Sequence, residues 1–491
     1  MKLSRLLLAP LALAPALLLA VAAPALSQQL PAAKRQIAAS LDAKAARYTA
    51  VADSIWSLAE VGYHETHSSR LLQSELRSAG FTVRAGVADI PTAFVAEFGR
   101  GAPVIGILAE FDALPGLSQH VTAERSPIAG QDAGHACGHH LFGTASVAAA
   151  IAVKEWLQSS GSAGTIRVYG TPAEEGGGGK IYMVRAGLFR DASVVLDWHA
   201  GAANNASPGP SLANKSGKFR FHGVSAHAAG APWRGRSALD AVSAMNHMVD
   251  MMREHVPDGT RMHYVITDGG KAPNVVPDFA EAYYYVRHQD ARIVNDLWDR
   301  VVKAAQGAAL GTDTRMEQEV VNGVYALLPN ETLARVVDAN LRAVGGVTYD
   351  ATERAFAEKL RVTLGSDAPP LTQASTVLPF QVRTVASGGS TDVGDVSWVV
   401  PNGRFYAATW VPGTSSHSWQ AVAAGGMSIG HKGMMVAAKT LALTAHDLFT
   451  DAATVQRAKT EFDGKRGANF VYRPLIGERA PPLDYRGSTA P

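Results

Sequence analysis

The feature that most constrains the fold of this chain is an alternation of short apolar runs with helical stretches over residues 81–199. The apolar runs, such as "VIGILA" and "ASVVLDWH", are nearly continuous. A strand that is apolar at nearly every position is buried on both faces, and such strands are typical of parallel sheets covered by helices. The pattern therefore predicts an α/β catalytic domain with a mostly parallel sheet and helices on both faces.

A second pattern, six elements in the order βαββαβ, interrupts the first one. It follows a segment rich in Gly, Pro, Ser and Asn at 200–217, which we interpret as a linker. The order predicts an inserted ferredoxin-like domain. We assign residues 28–215 and 328–491 to the catalytic domain and residues 216–327 to the inserted domain. The tail from about residue 462 is expected to be irregular surface chain.

The first 27 residues predict the cellular location of the protein. Lys2 and Arg5 precede a long run of Leu, Ala, Val and Pro that ends in small residues around Ala25 and Ser27. This is the pattern of a secretory signal peptide over residues 1–27, and a membrane anchor is the alternative. We expect a soluble exported protein that is periplasmic in a Gram-negative cell and has no membrane contact after cleavage.

Charge and cysteine content narrow the possible partners. The chain has 45 basic and 43 acidic side chains, and loss of the signal peptide removes two basic ones, which leaves 43 of each. A balanced chain has no electrostatic footprint for nucleic acid, so we expect no such partner. The one cysteine, Cys137, cannot form a disulfide within the chain, so it is either a buried thiol or a metal ligand.

The segment "QDAGHACGHHLFG" at 131–143 contains three histidines and Cys137. It places Cys137 and His139 two residues apart on glycine-flanked chain. Thiolate and imidazole ligands suit zinc or another late first-row divalent metal. A buried cysteine beside a hydrogen-bonded histidine would give the same pattern, so the segment alone leaves both interpretations open.

Chemically active side chains also follow other predicted strands. "PAEEGGGG" places Glu174 and Glu175 side by side, and "VVLDWHAG" ends with His199. An acidic pair is commonly a solvated loop, but successive side chains diverge, so one carboxylate can bind a metal while the other faces a bound water as general base. Because sites in such sheets form at the carboxyl ends of strands, we expect these side chains to meet, together with His417 of "PGTSSHSW".

The motifs "AEFDALPG", "GHACGHH", "PAEEGGGG", "WH", "SAHAA", "NVVPD" and "SSHSW" occur in this order along the chain. Their order and spacing, over about residues 40–450, resemble the aminoacylase/carboxypeptidase metallopeptidases with co-catalytic metals (peptidase clan MH), within them the amidohydrolase branch. "GGSTDVGDVSWVVP" at 388–401 is similar to the aminobenzoyl-glutamate utilisation proteins of type B in that branch. One departure is His140, where many members of the branch have Asp.

The resemblance implies a metal centre with a general base. The implied ligands are Cys137, His139, Glu175, His199 and His417. They would hold two divalent metal ions in each copy of the chain, and the thiolate favours zinc over manganese. Glu174 is the implied general base. Asp112 of "AEFDALP" would orient a histidine ligand, because metal-bound imidazoles usually donate their other N–H to an oxygen.

Three residues of the inserted domain carry further expectations. By resemblance, His227 reaches the active site of a second copy of the chain and stabilises the oxyanion, which makes the inserted domain both a lid and the contact surface of a homodimer. Asn274 is expected to contact the substrate and Arg287 to bind a substrate carboxylate. The alternatives are a structural histidine for His227 and a turn residue for Asn274.

These features predict a hydrolase that cleaves the amide bond of N-acyl amino acids, including p-aminobenzoyl-glutamate. A dipeptidase, a carboxypeptidase or a general N-acyl-amino-acid deacylase of the same family is the first alternative. The second is a non-catalytic protein that binds acyl amino acids, although such a protein has no use for a base at Glu174. "EEGGGGK" lacks the spacing of a phosphate loop, and we expect no nucleophile elbow of the strand–GxSxG–helix kind that would support serine hydrolysis.

Overall fold

The structure, a computed structural model, describes residues 30–386 and 389–487. The predicted signal peptide, residues 1–27, lies outside these ranges. No helix within them is both long enough and apolar enough to cross a bilayer. Two large hydrophobic cores support the described chain, and each is built on its own β-sheet.

The first part of the chain alternates helices and strands. Its elements are α1 (Ala32–Ala43), α2 (Ala45–Leu58), α3 (Thr66–Ser78), β1 (Thr82–Ala85), β2 (Phe94–Arg100), β3 (Val104–Ala109), α4 (His139–Ser160), β4 (Gly164–Gly170), α5 (Gly179–Arg185) and β5 (Val194–Gly201). Strands β3, β4 and β5 are buried at nearly every position, as their continuous apolar runs predicted.

The middle part folds separately. Its elements are β6 (Ala213–His222), α6 (Ala238–Met252), β7 (Arg261–Asp268), β8 (Phe279–His288), α7 (Ala291–Thr312) and β9 (Arg315–Val324). The strands form an antiparallel sheet in the order β7-β8-β6-β9. Phe219 of β6 packs between Tyr284 of β8 and Trp298 of α7, which ties the sheet to its helices. The predicted ferredoxin-like insertion is therefore confirmed.

The predicted linker at 200–217 is too long. Its last five residues belong to β6, which pairs with both β8 and β9 from Asn214 onward. A Cβ on Gly217 would lie 2.4 Å from the carbonyl oxygen of Glu319 and 2.8 Å from the ring of Trp298. Glycine occurs here because two strands and a tryptophan approach closely, and composition alone made this strand resemble a loop.

The last part of the chain returns to the first core. Its elements are α8 (Glu331–Val344), α9 (Ala351–Arg361), α10 (Val393–Ser397), β10 (Asn402–Ala408), α11 (Trp419–Gly425), α12 (Ser428–Thr450) and α13 (Ala452–Arg466). Strand β10 completes a sheet in the order β1-β2-β4-β3-β5-β10, in which the pairs β4–β3, β3–β5 and β5–β10 are parallel. This confirms the predicted mostly parallel α/β domain.

Helices α4 and α12 pack against each other and against the central strands. Every residue of α4 from His139 to Val153 is buried, as expected for a helix that is apolar on all sides. Small residues allow close packing, because a Cβ on Gly143 would lie 2.7 Å from the carbonyl oxygen of Glu110. This packing fixes His139, the first residue of α4, beside the carboxyl end of β3.

The predicted irregular tail begins a few residues later than about residue 462, and residues 467–487 form no helix or strand and are mostly half-buried or exposed. Helix α13 continues to Arg466, and the chain beyond it is anchored by Leu475 and Ile476, which are only 4% and 6% exposed. Phe470 also stacks on Trp398 with ring centres 4.7 Å apart. The Pro and Gly content of this segment conceals these anchors. We call residues 468–487 the C-terminal strap.

Candidate metal centre

Two donor sets meet at the carboxyl ends of the sheet strands. Within the described chain, ligand atoms of Cys137, His139 and His199 lie within 4.8 Å of one another, and so do those of Cys137, Glu175 and His417. The Sγ of Cys137 is 3.5 Å from Nε2 of His199, and Nε2 of His417 is 3.1 Å from Oε1 of Glu175. The five predicted ligands thus form one cluster in which the two sets share Cys137.

Glycine lets the loop that carries Cys137 approach strand β5. Gly138 has a φ of 76°, in the left-handed region, and precedes the first residue of α4. A Cβ at this position would lie 2.4 Å from the Cβ of Ala200. Only glycine combines this backbone conformation with such a close approach, so Gly138 determines how near Cys137 comes to His199.

Two non-glycine residues in the left-handed region lie at the site. Ala173, directly before Glu174, has a φ of 57°, and His417 has a φ of 59°. The N–H of Ala173 donates to Oε1 of the buried Glu65 at 2.7 Å, and the N–H of His417 donates to the carbonyl oxygen of Ala136 at 3.0 Å. These hydrogen bonds hold a strained backbone and so fix the directions of the Glu174 and His417 side chains.

Asp112 contacts two of the predicted ligands. Nδ1 of His139 donates to Oδ1 of Asp112 at 2.9 Å, and the N–H of Glu175 donates to Oδ2 of Asp112, also at 2.9 Å. Burial opposes ionisation, but the neighbouring His139 holds the pKa of Asp112 below its usual range. Asp112 is therefore a carboxylate that orients both residues and leaves Nε2 of His139 available to a metal.

Glu174 is half-buried beside the cluster. Its carboxylate oxygen lies within 4.8 Å of ligand atoms of Glu110 and His139. Burial, followed by the charges of Glu110 and Glu175, raises the pKa of Glu174 well above its usual range. A carboxyl group with a raised pKa accepts a proton more readily than a free one, as a residue that acts first as general base and then as general acid must.

The structure reveals a buried charge network that sequence reasoning missed. Nζ of Lys180 is 2.7 Å from Oε1 of Glu110 and 2.8 Å from Oδ1 of Asp392, and Oε2 of Glu110 is 3.1 Å from Nε2 of His139. All four side chains are buried. The spacing of Glu110 and Asp112 after β3 was a usable signal, because side chains two residues apart point to the same side of an extended chain.

The cluster opens into a cavity of about 370 Å³. Apart from the ligands, the cavity is lined by apolar residues such as Leu327, Leu328 and Trp410 and by polar side chains, which include Ser207, Ser211, Arg383, Thr391, Arg404 and Tyr406. Arg404 forms an ion pair of 2.8 Å with the buried Asp197. Burial and then the charge of Arg404 lower the pKa of His199 to about 4. His199 is consequently a neutral imidazole, the form that binds metal ions.

The three predicted residues of the inserted domain lie elsewhere. His227 and Asn274 are exposed, and their loops are joined by a 3.0 Å hydrogen bond from the N–H of Ala228 to the carbonyl oxygen of Asn274. The guanidinium of Arg287 lies 5.2 Å from the ring centre of Tyr285 on strand β8. In the described chain, none of the three lines the cavity beside the donor cluster.

The residues present fit a divalent metal. Nε2 of His139 and Oε1 of Glu175 are buried atoms that meet no hydrogen-bond criterion within the described residues, although each lies 3.1 Å from a charged neighbour, Glu110 and His417 respectively. Buried polar atoms normally form hydrogen bonds, so ligand atoms that form none in a converging cluster are suited to hold a cation. A thiol, imidazoles and a carboxylate together match the ligand preferences of zinc and its neighbours.

Comparison with known proteins agrees with this geometry. Residues 213–313 match the M20 peptidase dimerisation domain. The chain is 42% identical over 447 residues to one of the subunits of the p-aminobenzoyl-glutamate hydrolase of Escherichia coli K12, and the match covers 86% of this chain and 93% of that protein. It is 31% identical over 448 residues to the Xaa-Arg dipeptidase of Mus musculus, which covers 88% of this chain and 92% of the dipeptidase.

A solved structure shares the fold at low sequence identity. A dinuclear metal-binding peptidase of the M20 family from Bacillus subtilis superposes with a TM-score of 0.57 at 16% identity. The superposition covers 83% of this chain and 99% of the bacterial chain. At this identity the likeness establishes the fold alone, namely an α/β domain with an inserted domain.

Proposed function

This chain belongs to the M20 peptidase family and is a hydrolase of amide or peptide bonds, and from this premise we propose that it releases the amino acid from N-acyl amino acids such as p-aminobenzoyl-glutamate. The observation that carries the proposal is the pair of donor sets joined at Cys137, directly beside the high-pKa carboxyl of Glu174. The 42% identity to a component of a p-aminobenzoyl-glutamate hydrolase supports the substrate class.

The proposed centre holds two divalent cations in each copy of the chain. The ligands would be Cys137, His139, Glu175, His199 and His417. A thiolate among the ligands favours zinc over manganese. When bound, the cations would supply Lewis acidity at the substrate carbonyl and lower the pKa of the attacking water.

Glu174 performs the proton transfers in this proposal. It accepts a proton from the attacking water and later donates it to the leaving nitrogen, and its raised pKa suits both steps. Asp112 keeps His139 and the Glu175 backbone in place through its two hydrogen bonds. No covalent acyl-enzyme is required, and the GxSxG match at 426–430 follows helix α11 rather than a strand, so it is not a nucleophile elbow.

The inserted domain is proposed to complete the site in a homodimer. Its match to a peptidase dimerisation domain supports a second copy of the chain as partner. His227 of one protomer would stabilise the negative charge on the carbonyl oxygen in the active site of the other, while Asn274 and Arg287 contact the substrate. The domain would then act as a lid, and its closure would exclude water from the reaction.

We also propose that the protein is exported and works in the periplasm of a Gram-negative cell. The support is the sequence of residues 1–27, with two basic residues, a long apolar run and small residues at the end. Cleavage after Ser27 would remove only this segment and leave the whole metal centre intact. N-terminal sequencing of the protein from a periplasmic extract tests this proposal directly.

A dipeptidase is the second candidate function, because the Xaa-Arg dipeptidase is a relative over most of the chain. The cavity wall favours an acidic amino acid instead. Arg383 and Arg404 both line it, Arg404 with part of its charge offset by the buried Asp197, and guanidinium groups attract a substrate carboxylate and repel an arginine side chain. A non-catalytic binding protein is disfavoured by Glu174, since binding of an acyl amino acid requires no carboxyl group directly beside the metal ligands.

The test is hydrolysis by zinc-loaded protein of p-aminobenzoyl-glutamate, compared with an alanyl-arginine dipeptide. We expect release of p-aminobenzoate and glutamate, and loss of release in Glu174→Gln with both metals still bound. Cleavage of the dipeptide alone would establish the dipeptidase function instead. Binding of both compounds without cleavage of either would favour the alternative that the protein is a non-catalytic binding protein.

A further inference from the structure

The C-terminal strap connects the inserted domain to the metal centre. Near its middle, the guanidinium of Arg479 donates to the carbonyl oxygens of Val320 and Val321 on strand β9. The guanidinium of Arg185 at the end of α5 donates to the carbonyl oxygen of Arg479 at 2.7 Å. The strap is therefore held by both domains before it reaches the loop that carries Glu174 and Glu175.

At its end the strap contacts the backbone of a proposed metal ligand. The hydroxyl of Tyr485 donates to the carbonyl oxygen of Glu175 at 2.9 Å, and the guanidinium of Arg486 donates to the same oxygen. The ring of Tyr485 packs edge-on against Tyr63 with ring centres 5.6 Å apart. Burial raises the pKa of Tyr485 above its usual value, so the hydroxyl keeps its proton and remains a donor.

The peptide of Glu175 needs such support because glycines follow it. Gly176 has a φ of 93°, and three more glycines precede Lys180, so this stretch has no side chain of its own to pack. Glycine-rich backbone has high conformational freedom. The N–H of Glu175 is fixed by Asp112, and its carbonyl oxygen is fixed by Tyr485 and Arg486.

We propose that Tyr485 and Arg486 are positioning residues of the metal centre, which hold the backbone of Glu175 so that its carboxylate faces Cys137 and His417. The inference rests on the proposed function in one respect, namely that Glu175 is a metal ligand. It gives the end of the chain a role in metal affinity, although the strap contributes no ligand atom. Residues that orient a ligand from behind typically change metal affinity by about 10-fold to 100-fold when they are replaced.

The test compares zinc affinity among full-length variants by competition with a chromogenic chelator. Tyr485→Phe keeps the ring against Tyr63 and removes only the hydroxyl, and we expect about 10-fold weaker binding of one zinc ion with the second ion unaffected. Arg486→Ala should have a similar effect, and Arg486→Lys, which retains a charged donor, should restore most of the affinity.

The matched control is Tyr472→Phe. The Tyr472 hydroxyl donates to the buried Asp395 at 2.6 Å, so this variant also removes a hydroxyl from the strap but leaves Glu175 untouched. It should lower the unfolding temperature without changing zinc affinity. A merely structural strap would show the opposite pattern, in which affinity follows unfolding temperature in all the variants, and that result would overturn the proposal.

Two further outcomes separate this inference from the proposed function. Wild-type affinity for both zinc ions in folded Tyr485→Phe and Arg486→Ala would overturn the positioning role and leave the hydrolase proposal standing. Failure of the wild-type protein to bind zinc would overturn the metal centre and the positioning role together. Zinc binding without hydrolysis of any substrate would contradict the proposed reaction alone, and the affinity differences would still support the role of the strap.

Discussion

The metal-donor cluster and the candidate residues of the inserted domain are held in very different ways. Cys137 and His139 are buried at the carboxyl ends of strands, and their positions follow from helix packing and a glycine contact. His227 and Asn274 are exposed on loops, and within the described residues neither lines the cavity beside the donor cluster. The difference teaches that the candidate donor atoms are gathered within one protomer, whereas His227 and Asn274 could join them only by movement or from a second copy.

The largest effect should come from the buried charge network beneath the cluster. Lys180→Met leaves two buried carboxylates, Glu110 and Asp392, without their cation. Removal of one partner from a buried ion pair costs about 3–5 kcal/mol, so the free energy of unfolding should fall by about that amount in urea titrations. Metal content should fall as well, because Glu110 faces His139.

Lys271→Met is the matched control in the inserted domain. Lys271 also forms an ion pair, 2.9 Å from Asp268, but its side chain is 85% exposed. Exposed pairs contribute at most about 1 kcal/mol, so this variant should unfold almost like the wild type. Equal losses of stability in the two lysine variants would contradict the proposed difference between the buried ion pairs beneath the donor cluster and the exposed ion pair of the inserted domain.

His227→Ala tests whether the lid contributes to catalysis. Loss of one oxyanion donor reduces kcat by about 10²-fold to 10³-fold, and zinc content should stay at the wild-type level because His227 is no ligand. Mixed dimers with Glu174→Gln sharpen the test. If His227 acts across the dimer, mixing two inactive variants should regain roughly a quarter of the wild-type activity, since half of the dimers then contain one intact site.

No regain of activity on mixing would place His227 in the site of its own protomer or outside catalysis. Exchange of protomers must be verified with affinity tags on one variant, because dimers that do not exchange also show no regain. Unchanged kcat in His227→Ala would assign the exposed histidine a surface role and would leave the donor cluster as the whole active site.

Much of this architecture could be predicted from the sequence for a physical reason. Fully buried parallel strands and half-buried antiparallel strands have different apolar patterns, so the two sheets were distinguishable. The carboxyl ends of parallel strands meet at one edge, which made the gathering of Cys137, Glu175 and His199 an expectation of topology.

The missed features depend on contacts between distant residues. Lys180 resembles a surface lysine after a glycine run, and its partner Asp392 lies 212 residues further along the chain. The left-handed backbones of Ala173 and His417 had no sequence signal either, because neither residue is a glycine. Tyr485 and Arg486 lie in a segment without any periodicity, so only the folded chain shows their contact with Glu175.

Asp112→Asn should affect the cluster more mildly than the loss of Lys180. An asparagine can still accept one of the two hydrogen bonds but no longer carries the charge that orients His139. Metal affinity should fall by about 10-fold to 100-fold, as measured by chelator competition, while the unfolding curve of the metal-free protein changes little. A variant with wild-type zinc affinity would show that helix packing alone orients His139.

The smallest effect is expected for Arg287→Ala, which tests whether the inserted domain recognises substrate before it closes. Arg287 is half-buried on β8, and its Nε makes no hydrogen bond within the described chain. Its guanidinium therefore has an N–H group that can donate to a substrate carboxylate. Loss of this contact should raise KM for p-aminobenzoyl-glutamate about 10-fold at unchanged kcat, because an interaction made equally in the ground state and the transition state alters only binding. Arg287→Lys should recover part of the affinity. A fall in kcat instead would mean that Arg287 acts in the closed state, and recognition and catalysis would then both depend on the lid.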